Sequence, residues 1–232
     1  MASIHINVTD QELADLNGAL DWKLYQRDHA GRVVGGGERE FSLRDNRVEA
    51  MLARLRVAGL RVLEPACFEG HLTVALCAAG ARVTAFDARP ASVVKAFARC
   101  LAFGHYPKLL LHDARRIAEL GEFDLVFHSG LFYHLADPIE HLRSLIGVAP
   151  LIVLDTHTAF PALARDTLAG YEGHWHDEGG WAEPLSGIEE RSFWLKKDSL
   201  FRLFTDCGFA HETLLDDEYP DGPRSCHLLF RT

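Results

Sequence analysis

The sequence predicts an α/β fold: a doubly wound, mostly parallel sheet of seven strands, with a helical arm before it and an insertion after the fifth strand. Three observations lead there. From Arg61 onward, short apolar runs rich in β-branched residues alternate with helical patterns, which implies right-handed βαβ crossovers. Three of these runs close on or just before an acidic residue, Glu64, Asp87 and Asp113. A parallel sheet then sets three carboxylates along one edge, where open α/β sheets bind ligands. Between Thr156 and Phe193 the alternation lapses, and Gly and Pro become frequent.

Taken in order, residues 1–56 read as an arm and residues 57–232 as the α/β domain, with the insertion at 157–195. Thr9-Asp-Gln-Glu12 has capping-box spacing and predicts a helix start. Val48, Met51, Leu52 and Leu55 recur at i, i+3, i+4 and i+7, giving a second helix one apolar stripe. Gly35-Gly-Gly37 marks a flexible joint. Strands are predicted near 61–65, 82–87, 108–112, 123–128, 150–155, 209–215 and 225–231, the last two as a hairpin-like pair. Pro90 suits the first turn of a helix whose Val93, Val94, Phe97, Cys100 and Leu101 share the core-facing side, with Gly104 ending it. Asp198 reads as the N-cap of Ser199–Cys207, with Leu200, Leu203 and Phe204 inward and Gly208 at C′. Three of the four tryptophans fall in or beside the insertion with Tyr171 and Phe193, so it reads as a substrate lid or as a minor core.

Composition narrows the function classes. At 232 residues and 48% hydrophobic, the chain suits one α/β domain with a short accessory region. A net charge of −9 with no Lys/Arg run argues against a phosphate-tracking surface, so no nucleic-acid partner is expected. The five cysteines have no Cys-x-x-Cys spacing and fit a reducing cytoplasm. Residues 1–7 have no signal-type pattern, and no apolar run approaches the ~18 residues of a membrane span, so a soluble, cytoplasmic protein is expected.

Val62-Leu-Glu-Pro-Ala-Cys-Phe-Glu-Gly70 resembles the first motif of class I S-adenosylmethionine-dependent methyltransferases, and the likeness extends over roughly residues 22–231. The resemblance implies a Rossmann-like methyltransferase fold and S-adenosylmethionine as cofactor. The family's motif runs acidic-x-Gly-x-Gly-x-Gly. Here Glu64 and Gly70 stand in register, while Ala66 and Phe68 replace the first two glycines. Phe68 is ill-suited to a glycine-only conformation, which leaves the loop's path open. By resemblance, Asp87 with Ala88 holds the ribose, Asp113 with Ala114 recognises the adenine, and Glu64, Ala66, Cys67, Phe68, Gly70 and Ser129 complete the cofactor site. Cys67 also has a plain reading as a small packing residue. An NAD site is disfavoured, because Phe68 would crowd the pyrophosphate.

Phe127 to His141 resembles the Gly-x-x-Tyr-His-x-x-x-Pro segment of a subgroup of these enzymes that acts on sugars, natural products and small polar metabolites, and that includes a tRNA wobble-uridine carboxymethyl transferase. Trp22 to Gly36 is similar to the subgroup's lead-in, with Tyr25 and Gln26 where Tyr-His often stands, and implies a flap over the cofactor. His157 and His134 are candidate bases, Tyr133 a positioning residue, and Tyr25, Tyr171, Trp175 and Trp181 candidate substrate contacts. His134 has an alternative role bracing the Asp137-Pro138 turn. His174, His176, Asp177 and Glu178 read as solvated lid residues, and no metal is expected. The expected activity is methyl transfer to O or N of a small metabolite. Transfer or cyclisation of the cofactor's aminobutyrate chain, tRNA modification and a non-catalytic cofactor-binding subunit stand as alternatives. Oligomeric state and the acceptor's identity are not encoded legibly.

Overall fold

The structure is a computed structural model, and it describes residues 8–219 and 222–231. The leading residues read above for a signal pattern lie outside the described residues. Two compact units are present, one ending at Asp113 and the other beginning at Ala114.

In the first unit, α1 (Asp10–Ala19) starts with the expected capping box, Thr9 and Glu12 each receiving the other's backbone N–H. The arm is not purely helical. Strands β1 (Leu24–Arg27), β2 (Val33–Gly35) and β3 (Arg39–Glu40) form a small sheet in the order β2-β1-β3. Inward alternation in β1 is carried by Leu24 and Gln26, and the polar Gln26 hid the period from a hydrophobicity reading. Helix α2 (Asn46–Leu52) is capped by Asp45 and buries Val48 and Met51. It stops before Leu55, and Leu52 faces out, so the four-residue stripe is shorter than its spacing predicted.

Strand β4 (Arg61–Pro65), α3 (His71–Ala78), β5 (Arg82–Asp87), α4 (Pro90–Ala102) and β6 (Lys108–Leu111) follow, with β4–β5 and β5–β6 paired in parallel. Pro90 and Gly104 take the positions expected of them at the two ends of α4. Its inward face differs from the prediction. Ser92, Lys95, Ala96, Ala98, Arg99 and Cys100 are buried, while Val94 and Phe97 are more than half exposed. The small residues allow close approach, since a Cβ on Gly70 would lie 2.8 Å from Ala96 Cα. The two cations turn inward because a buried carboxylate awaits them.

In the second unit, β7 (Leu125–Ser129), α5 (Pro138–Leu145) and β8 (Leu151–His157) precede the insertion. That segment is regular rather than irregular. Strands β9 (Asp166–Leu168), β10 (Tyr171–Asp177) and β11 (Arg191–Leu195) make an antiparallel sheet in the order β11-β10-β9. Helix α6 (Lys197–Asp206) starts two residues early: Lys196 is the N-cap, and Asp198 lies in the first turn, where its charge favours the helix dipole. Leu200, Leu203 and Phe204 point inward as expected, and Gly208 takes φ +78°. Strands β12 (Phe209–Tyr219) and β13 (Gly222–Arg231) form the closing hairpin. The principal sheet has seven strands, ordered β12-β13-β8-β7-β4-β5-β6; β4–β5, β5–β6 and β7–β8 pair in parallel, and β13 runs antiparallel to β12 and β8. Among the described residues, no helix is long and apolar enough to cross a membrane.

Candidate functional site

The turn from β4 to α3 carries three left-handed residues at alternate positions: Ala66 (φ +51°), Phe68 (φ +50°) and Gly70 (φ +78°). These are the three positions at which the family motif has glycine. The substitutions have left the backbone path in the glycine region, although each L-residue there costs about 1–2 kcal/mol. Hydrogen bonds hold that path. Cys67 N–H donates to Phe86 O (2.9 Å), Gly70 N–H to Cys67 O (2.8 Å), and Phe68 N–H to the Asp87 carboxylate (3.0 Å). Strand β5 thereby anchors the turn of β4, and a non-glycine turn persists where surrounding structure over-determines it.

Asp87 ends β5 almost fully buried, and its other oxygen accepts Arg89 N–H at 2.8 Å. Burial raises its pKa, and the two backbone donors only partly oppose this. Glu64 lies deeper. Burial pushes its carboxyl up to about 8, with Asp87 adding to the rise, while the Thr73 hydroxyl, donating at 2.6 Å, and Arg47 oppose it. Two carboxyls in a poorly solvated setting favour a cationic partner. Asp113 follows β6 half-buried, and Ala88 is likewise half-buried beside Asp87. Cys67 is buried, and its thiol pKa is raised by burial, a packing residue rather than a nucleophile.

A second feature of the first unit was not among the expectations drawn from the sequence. Glu69, fully buried at the foot of the turn, accepts Lys23 N–H (2.9 Å), Leu24 N–H (3.2 Å) and Lys95 Nζ (2.9 Å). Arg99, also fully buried, donates to Glu69 O (2.7 Å), Val34 O (2.9 Å) and Leu24 O (2.8 Å). The arm is therefore bound to the turn through charge-assisted bonds. Lys95 and Arg99 stand i, i+4 on α4, a spacing visible in the sequence but outvoted by the more numerous apolar residues opposite.

In the second unit, His157 at the end of β8 is buried and pairs Nδ1 with Gly222 O at 3.1 Å. A carbonyl only accepts, so Nδ1 carries the proton and Nε2 presents a lone pair. Trp194 stacks on His157 (centroids 5.2 Å) and on His176 (4.6 Å), and Tyr133 meets His157 edge-on at 4.7 Å. Trp194 had been read only as part of the lid's aromatic set. His134 contacts Tyr133, and its Nδ1 lies 2.9 Å from Glu178 Oε1. Glu178 also receives the hydroxyls of Ser186 and Ser192 and Gly187 N–H. Burial raises its pKa, but the His134 bond, the His134 charge and these donors outweigh burial and hold it at about 2. Ser129 Oγ donates to Asp155 (2.8 Å), whose carboxylate also takes a two-point contact from Arg224 (3.0 and 2.6 Å).

The remaining expected contacts scatter. Tyr171 is buried, donates to Asp206 (2.7 Å) and lies under Arg202. Trp175 sits against Phe193 and Arg191, Trp181 is largely exposed, and Tyr25 donates to Glu40 (3.1 Å). Ala114 opens a short 3-10 segment, Ala114–Leu120. His176 and Glu178 engage different partners, and among the described residues no three His, Cys, Asp or Glu side chains gather as metal ligands.

Residues 62–149 match the family described as a methyltransferase domain. The chain is 31% identical over 131 residues to a ubiquinone biosynthesis O-methyltransferase of Xanthomonas axonopodis pv. citri (strain 306), covering 54% of this chain and 55% of that protein. It spans about half the length of the curated relatives it matches. Among solved structures, the N-terminal domain of EvdMO1 with SAH bound superposes with a TM-score of 0.78 at 22% identity, over 96% of this chain and 95% of that one. Magnesium protoporphyrin IX methyltransferase (ChlM) from Synechocystis PCC 6803 with bound SAM gives 0.59 at 18% identity, over 80% and 76%. Residues 62–149 thus resemble a methyltransferase domain, and the fold is that of proteins crystallised with SAH or SAM bound.

Proposed function

We propose that the chain transfers a methyl group from S-adenosylmethionine to a hydroxyl oxygen of a small molecule. The observation that carries this reading is the turn at 66–70, which keeps left-handed backbone at all three motif positions and hands Phe68 N–H to Asp87. That persistence removes the motive for an altered chemistry at the cofactor's aminobutyrate chain, which rested on a changed loop. The donor set fits the cofactor: Asp87 retains acceptor capacity for a ribose diol, and Glu64 is a buried carboxyl that a cation would ionise. Ala66, Cys67, Phe68 and Gly70 are assigned to the amino-acid side, Ala88 to the ribose, Asp113 and Ala114 to the adenine, and Ser129 to the cofactor site without a narrower role. When bound, S-adenosylmethionine supplies an electrophilic methyl group.

The acceptor reading rests on His157. With Nδ1 fixed on Gly222 O, its Nε2 takes the proton of an attacking hydroxyl, while Trp194 and Tyr133 fix the ring and exclude water. His134 and the Glu178 carboxylate form a second imidazole pair beside Tyr133. An amine that attacks as a free base has no need of such a group, which favours oxygen. The names of similar proteins point the same way, one an O-methyltransferase and one crystallised in the presence of SAH and D-fucose. Incubation with S-adenosylmethionine and panels of sugars and phenols, followed by mass spectrometry, tests the proposal. S-adenosylhomocysteine with an acceptor heavier by one methylene supports it. Methylthioadenosine as the nucleoside product, or an N-methylated acceptor, overturns it.

A further inference from the structure

Buried polar atoms in native proteins nearly always have partners, and each exception asks for an explanation. Three such atoms without a hydrogen-bond partner among the described residues lie at the junction of arm and turn: Trp22 Nε1, Gln26 Oε1 and His71 Nδ1. Trp22 is 5% exposed and Gln26 is fully buried. Leaving a buried donor or acceptor unpaired costs about 1–3 kcal/mol each. Three in one region amount to a penalty that a bound group would relieve.

Their position is fixed by bonds already described. Gln26 Nε2 donates to His71 O at 3.2 Å, so the unpaired oxygen of the same amide sits at the first residue of α3, directly after the turn. The Trp22 ring lies 4.8 Å below the Arg99 guanidinium, which binds Glu69 O in the turn itself. Glu69 in turn holds the backbone of Lys23 and Leu24, the residues that follow Trp22. The buried Glu69, Lys95 and Arg99 thus keep Trp22 and Gln26 within one or two residues of the turn.

The three atoms also differ in kind. The indole N–H only donates, the amide oxygen only accepts, and an imidazole nitrogen does either. Such a set suits a zwitterion, with a carboxylate for the indole and an ammonium for the amide oxygen. We propose that Trp22 and Gln26 of the arm bind the α-amino-acid end of the S-adenosyl cofactor, Trp22 through its carboxylate and Gln26 through its ammonium. This assignment rests on the cofactor reading above. It makes the arm a component of the binding site, and it gives the buried Glu69 clamp a purpose beyond stability, since a buried charge network contributes little net stability by itself.

Two ligands separate the possibilities: S-adenosylhomocysteine, which has the amino-acid end, and methylthioadenosine, which lacks it. Calorimetric titration of the full chain is compared with that of Trp22→Phe, which keeps a ring beneath Arg99, and of Gln26→Met, which keeps the length. Thermal unfolding and circular dichroism confirm that each variant folds. The expected result is at least tenfold weaker S-adenosylhomocysteine binding in each folded variant, with methylthioadenosine affinity within twofold of the parent chain. Equal loss for both ligands, or no loss for either, overturns the assignment and leaves the polar atoms to solvent or to packing. Should one variant fail to fold, the other decides alone. Failure of the parent chain to bind either ligand would instead sink the cofactor reading.

Discussion

The turn at residues 66–70 is held by its main chain, whereas the cluster around His157 is held by its side chains. In the turn, Ala66 and Phe68 occupy left-handed backbone that glycine would take without strain, and three backbone N–H donors fix the path. In the cluster, a ring stack of His157, Trp194 and His176 is braced by Tyr133, and one imidazole nitrogen is committed to Gly222 O. Main-chain geometry tolerates side-chain replacement at a cost of one or two kcal/mol. Side-chain geometry does not, because the chemistry belongs to the replaced atoms. This explains how a chain that lacks two of the motif's glycines keeps the glycine-like path of the turn.

The sharpest way to break the contrast is at His157. Replacement by Gln keeps a polar group of similar reach but removes the lone pair that accepts a proton. Methyl transfer should fall by a factor of about 10² to 10⁴, the usual worth of a general base. S-adenosylhomocysteine affinity should remain unchanged. Steady-state rates with any hydroxyl acceptor from the panel give the answer, and a rate within threefold of the parent would remove His157 from the chemistry.

The two sides also differ in their response to pH. The Glu64 carboxyl is raised to about 8 in the folded chain by burial, above the 4.5 of an unfolded glutamate. Stability from this group is therefore full below pH 4.5 and is lost as pH rises towards 8, with a slope of up to about 1.4 kcal/mol per pH unit. His227 is lowered to about 4 by burial and by the neighbouring His211, and His128 is pushed well below the usual imidazole range by burial and by His141, 2.8 Å away. Their contribution is present above pH 6.5 and declines as pH falls below it. Urea midpoints across pH 4 to 9 should accordingly decline at both ends. Glu64→Gln should flatten only the alkaline limb, and an alkaline limb unchanged in that variant would contradict the burial account.

The smallest expected effect tests the turn directly. Ala66→Gly relieves about 1–2 kcal/mol of left-handed strain. It adds about 0.5–1 kcal/mol of backbone entropy cost. Stability should thus rise slightly while S-adenosylhomocysteine affinity holds. Ala66→Val, β-branched and poorly suited to positive φ, should lower stability by about 1 kcal/mol or more. Denaturant unfolding of the pair measures the difference, and a valine variant as stable as the glycine one would mean that the turn is not strained.

Much of the scaffold was legible because its signals are local. Apolar runs gave all seven strands of the main sheet to within a few residues, Pro90 and Gly104 marked the ends of α4, and Thr9 with Glu12 started α1. Carboxylates near the end of β4, at the end of β5 and just after β6 marked an expected cofactor edge, because strand direction alone delivers them to one side. Less of the insertion could be read, since its small sheet mixes His, Gly and charged residues along β10 and shows no clean alternation.

What the sequence by itself determined is the order of the seven principal-sheet strands and the helices between them, with the placing of Glu64, Asp87 and Asp113, all set by periodicity and turn chemistry within short windows. Only the tertiary structure decided which face of α4 turns inward, because Lys95 and Arg99 are buried for Glu69 and for arm carbonyls, in partners distant along the chain. It also decided that Ala66 and Phe68 take a glycine-like path, since the Asp87 bond that secures it comes from another strand. Propensity ranks what a residue prefers alone; long-range hydrogen bonds in a low-dielectric interior settle what it does.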